Sequence, residues 1–174
     1  MRAFVALLVL SLVACGKHTK QAPVVAALEK LADAPSKVVL YSLNPENHHD
    51  NDPYTDTVFH GYDILGKAEI TDRSEQRALL QALAHGASEN DDHAMACFNP
   101  RHALHIEQGG RSTDFTICFE CLQVETRGFD QGGFLTSASP EPTFDESLRR
   151  HHLPVAPKEG LTNRLQPTAD RSGE

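Results

Sequence analysis

Apolar residues are unevenly spread along the chain. An unbroken run, Ala3 to Leu10, follows one early positive charge, Arg2, and leads into Leu12-Val13-Ala14-Cys15. It is too short to cross a bilayer, which takes about 20 apolar residues, and has the length of an export-signal core. A polar stretch, Gly16 to Pro23, comes next. Val24 to Ala32 places apolar residues at helical spacing and predicts a short amphipathic helix ended by Pro35. Lys37 to Leu43 is β-branched and apolar, a strand closed by Asn44-Pro45. Glu46 to Pro53, with His48 and His49 among acidic neighbours, reads as a solvated polar loop. Val58 to Ile70 is a second extended stretch, and Gly61 and Gly66 predict a bulge or a bend within it.

The clearest helix follows. Asp72 and Glu75 form a capping-box pattern, Ala78, Leu79, Leu80, Ala82 and Leu83 an apolar stripe, and Gly86 a stop. Two extended runs, Ala96 to Glu107 and Ser112 to Arg127, flank Gln108-Gly109-Gly110-Arg111, where both glycines can take the positive φ of a tight hairpin turn. Phe134-Leu135-Thr136 adds an edge strand. Thr143 and Glu146 open a last helix with Phe144 and Leu148 inward. Arg149, Arg150, His151 and His152 complement the dipole of its final turn, and Pro154 stops it. Residues 155–174 are polar, lack periodicity and predict disorder. The order helix, strand, strand, helix, hairpin, helix predicts one α+β domain over residues 24–154, a small, mostly antiparallel sheet with helices packed on one face.

The segment Leu12-Val13-Ala14-Cys15 resembles the lipobox of bacterial lipoproteins. That resemblance implies that residues 1–14 are a signal peptide cut before Cys15, that a diacylglyceryl group sits on the Cys15 thiol, and that residues 15–23 are a lipidated tether. Buried acyl chains contribute about 0.8 kcal/mol per CH₂, so the expected partner is the lipid bilayer and the expected place the cell envelope. Gly16, rather than Asp, after the cysteine favours the periplasmic side of the outer membrane. Loss of Arg2 takes the formal net charge from −8 to about −9. That acidic balance excludes nucleic acid as the expected partner, because phosphate-binding surfaces need clustered Lys and Arg. An envelope protein or a small ligand remains as a second partner.

The other three cysteines lie in Cys97-Phe98-Asn99-Pro100-Arg101-His102 and Cys118-Phe119-Glu120-Cys121. Here the chain resembles a family of small uncharacterised bacterial proteins, many of them exported, that share Cys-Phe-x-Pro-Arg-His followed by Cys-Phe-x-Cys. The likeness extends from about Phe59 to Pro154, including the stretches 62–66 and 137–144, and transfers no catalytic residue.

Three chemistries compete for these cysteines. Export into an oxidising compartment favours a disulfide, and with Cys15 consumed an odd thiol is left over. Cys97, His102, Cys118 and Cys121 would make a zinc set of three thiolates and one imidazole. Cys118-x-x-Cys121 has the spacing of a redox pair. A two-residue turn at Gly109-Gly110 sets Leu104 opposite Phe115 and Ile106 opposite Thr113, and collects Leu104, Ile106, Phe115, Ile117 and Phe119 on one buried face. Cys118 and Cys121 then point to opposite faces and cannot bond without a local break. A bulge at Asn99-Pro100 would bring Cys97 opposite Cys121. The favoured reading is a Cys97–Cys121 disulfide with Cys118 free and no cofactor, zinc being the alternative.

Arg101 and Glu120 are placed to pair across the hairpin, or else to hold an anionic ligand, and His102 falls on the apolar face. No nucleophile elbow, zinc helix or phosphate loop is present. The expectation is an envelope-anchored, non-catalytic binding or interaction module. The rival is a zinc or thiol-redox protein centred on Cys97, His102, Cys118 and Cys121.

Overall fold

The computed structural model describes residues 21–34, 36–51 and 53–158. Its helices are α1 (Ala22–Asp33), α2 (Arg73–Glu89) and α3 (Glu141–Arg150). Its strands are β1 (Lys37–His48), β2 (Val58–Phe59), β3 (Tyr62–Ile70), β4 (His102–Gln108), β5 (Arg111–Cys118), β6 (Gln123–Arg127) and β7 (Phe134–Leu135). The strands form one seven-stranded antiparallel sheet in the order β2-β3-β1-β4-β5-β6-β7. The fold is α+β. Residues 1–20, including Arg2, the lipobox and Cys15, lie outside the described residues. Among the described residues no helix is long and apolar enough to cross a membrane.

Alternation along the strands sorts side chains onto two faces. Val38 and Leu40 of β1, Leu104 and Ile106 of β4, and Phe115 and Ile117 of β5 share one face. They form the main core with Val24 and Leu28 of α1, Leu79, Leu80 and Leu83 of α2, and Phe144 and Leu148 of α3. All three helices thus cover the same side. The hairpin register is the one the Gly109-Gly110 turn dictates: Gln108 faces Arg111, Leu104 faces Phe115, and His102 faces Ile117. The other face carries Tyr41, Leu43 and Ala103, packed with Phe59 and Tyr62 from the β2–β3 hairpin.

Several boundaries depart from the sequence expectation for identifiable reasons. β1 runs on to His48, past Asn44-Pro45, because its ladder with β3 skips between Asn44 and His48. Pro45 falls in that skip, where no ladder hydrogen bond is required of it. The bend in 58–70 falls at His60 and Gly61, both at positive φ (44° and 87°), as a two-residue hairpin turn demands. A register shift opposite Ser42 and Leu43 leaves Leu65 as the extra residue. α1 ends at Asp33, and Ala34 is extended, as the residue before a proline is driven to be.

α2 continues through Gly86 to Glu89. Gly86 serves close packing there rather than termination, since a Cβ would stand 2.4 Å from Thr136 Oγ1 and 2.5 Å from Pro140 Cγ. Asp72 caps α2 by accepting from the Ser74 amide (2.7 Å), while the Glu75 side chain turns away toward α3. α3 starts at Glu141 without a side-chain cap. Pro142 needs no amide partner in a first turn, so the helix begins ahead of the Thr143–Glu146 pair.

Both ends of the described chain are fastened. The Gln21 side chain donates to Ala87 O (3.0 Å) and accepts from Leu135 N (2.9 Å). The expected disorder does not begin at 155: Ala156 is buried, Val155 packs on the core and Lys158 pairs with Glu141 at 2.7 Å. The remainder of the 155–174 tail lies outside the described residues.

Candidate functional site

The three thiols meet where the β4–β5 hairpin opens. β5 stops at Cys118, residues 119–122 turn, and β6 starts at Gln123. Residues 119–122 leave the extended conformation and Leu122 closes the turn with a left-handed backbone, φ 59°, so side-chain alternation does not carry across from Cys118 to Cys121. The break in the strand that their bonding requires is therefore present. Cys118 and Cys121 form a disulfide with Cα atoms 5.1 Å apart, within the range that bridged cysteines occupy. This corrects the Cys97–Cys121 pairing expected from the sequence. Cys97 is the free thiol and is exposed, whereas Cys118 and Cys121 are fully buried.

Cys97 is nonetheless in contact with the pair. Its Sγ donates to Cys121 Sγ at 2.9 Å. Residues 95–99 reach the turn without joining β4, which starts only at His102. They are held by Met95 N donating to Cys121 O (3.0 Å) and by Gln123 Nε2 donating to Met95 O (2.6 Å) and Cys97 O (3.2 Å). Each buried sulfur accepts a backbone amide: Asn99 N donates to Cys121 Sγ at 3.3 Å, and Cys121 N to Cys118 Sγ at 3.1 Å.

Arg101 and Glu120 come together as expected from the hairpin, with Nη1 donating to Oε2 at 2.7 Å. Arg101 is buried. Its Nε donates to Pro157 O (2.9 Å), and its Nη2 has no partner among the described residues. The pair ties the turn that carries Cys121 both to the segment after Asn99 and to the C-terminal stretch.

His102 does not join the thiols, which removes it from the expected zinc set. By alternation it faces the helices. There its ring lies against Phe119 and Phe144 (centroids 5.3 and 5.8 Å), and Nε2 meets Asp145 Oδ1 at 2.9 Å. That contact holds the Asp145 carboxyl below its ordinary value, against the opposing effect of burial. Among the described residues, no group of three His, Cys, Asp or Glu side chains is arranged to hold a metal ion.

A polar cluster unforeseen from the sequence lies on the other face of the sheet. Asp114 Oδ2 accepts from His60 Nε2 (2.7 Å) and Oδ1 from His105 Nδ1 (2.5 Å), and His105 Nε2 meets Glu107 at 3.2 Å. Burial pushes the Asp114 carboxyl up, but hydrogen bonds from His60 and His105 outweigh it and leave it below the ordinary value. Tyr54 stacks on His60 (5.0 Å, 14°), and its hydroxyl is 3.4 Å from that of Tyr41. Burial, then the Tyr54 contact, raises the Tyr41 hydroxyl well above the usual tyrosine value. The only sequence signal was the polar pair His105 and Asp114 on alternating strands. His60 is 54 residues from Asp114.

Across α2 and α3, Glu75 accepts from Ser147 Oγ (2.6 Å) and lies 3.2 Å from His151 Nε2. It is buried between the two helices and acts as a latch. His151, expected to complement the helix dipole, is thereby tied to a carboxylate as well.

Compared with known proteins, the chain matches no family model, no curated sequence and no solved structure.

Proposed function

We propose that this chain is an envelope lipoprotein, held to a bacterial membrane by lipid on Cys15, whose Cys97, Cys118 and Cys121 form a thiol–disulfide exchange centre. The observation that carries this reading is the 2.9 Å contact between the exposed Cys97 sulfur and the disulfide sulfur of Cys121. Exchange proceeds by attack of a thiolate on a disulfide sulfur. Here the attacking atom and its target are already closer than van der Waals contact. Export supplies the compartment in which such a disulfide persists. This takes up the thiol-redox alternative in place of the non-catalytic interaction module expected first from the sequence, and exchange still requires a docked partner.

The test is thiol counting on the lipidated protein in detergent, with elemental analysis. One alkylatable thiol before reduction and three after it, without metal, is the expected result, together with oxidation of a reduced dithiol peptide by the untreated protein. Three alkylatable thiols in the untreated protein with one equivalent of zinc would sink the proposal.

A further inference from the structure

We infer that the three sulfurs act in a fixed order, with Cys97 as the entry sulfur, Cys121 as the pivot and Cys118 as the buried leaving thiol, and that the substrate is a cysteine dithiol in a polypeptide reachable from the membrane. The inference rests on the exchange reading above and assigns its roles.

Access sets the first assignment. Cys118 and Cys121 have no exposed surface, and Cys97 is the exposed sulfur. A partner thiol therefore meets the centre at Cys97. Contact sets the second, because Cys97 touches Cys121. In the internal step the Cys97 thiolate attacks Cys121 Sγ. A Cys97–Cys121 bond forms, the Cys118–Cys121 bond breaks, and the electron pair leaves on Cys118. No outside oxidant is needed, since one disulfide replaces another.

Hydrogen bonding sets the third assignment. A sulfur that leaves as a thiolate is stabilised by a waiting N–H donor. Cys118 Sγ has the Cys121 amide and Cys121 Sγ has the Asn99 amide. Cys118, which leaves in the internal step, and Cys121, which leaves when the partner attacks, are so provided, while the Cys97 sulfur, which leaves last, is itself the donor in its contact with Cys121.

After the swap the disulfide reaches the surface through Cys97. A partner thiolate attacks Cys97 Sγ, forming a mixed disulfide and releasing Cys121 as a thiolate. The partner's second thiolate attacks its own sulfur in that mixed bond and releases Cys97. The net change is one partner dithiol oxidised to a disulfide and one protein disulfide reduced to two thiols, with two protons passing to the released sulfurs. Met95, one of three large apolar side chains left exposed among the described residues, lies two residues from Cys97. It offers an adaptable apolar contact for a polypeptide, which a small hydrophilic thiol would not use.

The experiment uses the lipidated protein in detergent, a reduced dithiol peptide with apolar flanks, and reduced glutathione as a small-thiol probe. Cys97→Ser is expected to keep its Cys118–Cys121 bond by peptide mapping and to lose peptide oxidation to the background rate. Native alkylation of Cys97 in the unmutated protein reports the same loss without a substitution. Cys118→Ser is expected to hold a Cys97–Cys121 bond and to react with the peptide faster than the unmutated protein, because the swap is already made. Reduced Cys121→Ser, offered a single-cysteine form of the peptide as a mixed disulfide with an aromatic thiol, is expected to retain it on Cys97.

Full activity in Cys97→Ser and in the alkylated protein would overturn the order while leaving the exchange centre standing. Reaction with glutathione but not the peptide would overturn the substrate class. Failure of the unmutated protein to oxidise either thiol would instead remove the exchange reading itself.

Discussion

On the helix side of the sheet, Val38, Leu40, Leu104, Ile106, Phe115 and Ile117 are fully or almost fully buried among aliphatic and aromatic side chains. On the opposite side the same strands send Tyr41, His105 and Asp114 under the 53–61 segment, and side-chain exposures of His60, His105 and Asp114 are only 12%, 13% and 11%. Burial is nearly as deep on both sides, but it is sustained differently. The helix side depends on filled volume. The other depends on each buried donor keeping its acceptor, because an orphaned polar group costs more than the bond itself contributes.

The largest effect is expected where volume alone is at stake. Leu104→Ala should lower unfolding free energy by about 2–5 kcal/mol in urea titrations, and a loss below about 1 kcal/mol would mean that the helix face is loosely packed. Asp114→Asn comes next. It removes the shared acceptor of two histidines while conserving size, and should cost about 1–3 kcal/mol by the same measurement. A neutral result would show the polar face to be held by Tyr54, Phe59 and Tyr41 stacking instead.

Acid sharpens the contrast further. Asp114 and Asp145 have folded pKa values below their ordinary 3.8. Their contribution is therefore complete above that value and disappears as pH falls through the depressed folded values. Urea midpoints should drop on acidification below about pH 4, with a shallower slope in Asp114→Asn than in the unmutated protein. The smallest effect is expected at the rim of the polar face. Lys37 and Glu107 pair at 2.8 Å but are about half exposed, so Lys37→Ala should leave the urea midpoint unchanged within error.

What was legible in the sequence follows the reach of local rules. Two glycines fixed the β4–β5 register, and period-two alternation carried it faithfully from Gln108 to His102. The same alternation failed beyond Cys118, where residues 119–122 turn and close on a left-handed leucine that carries none of the signal a glycine would. The three thiols and the Arg101–Glu120 pair could be named as neighbours, but which two thiols bond hung on the turn at 119–122. Pro45 looked like the end of a strand because the ladder skip that accommodates it is a property of two strands together. The His60–Asp114–His105 cluster was hidden for a related reason. It joins a hairpin turn to a strand far along the chain, and only the order β3-β1-β4-β5 brings them within reach.

The bonds from Gln21 to Ala87 and Leu135 fix the place of Gln21 on the domain. From Cys15 to Gln21 the backbone advances six residues, and at about 3.3–3.6 Å per residue it can pay out no more than about 20 Å. On the proposed lipid anchor at Cys15, the domain would work on a short leash. Its clients would then be confined to cysteines that pass through a thin layer beside the membrane, and crowding within that layer, rather than affinity for any one sequence, would govern which of them it meets.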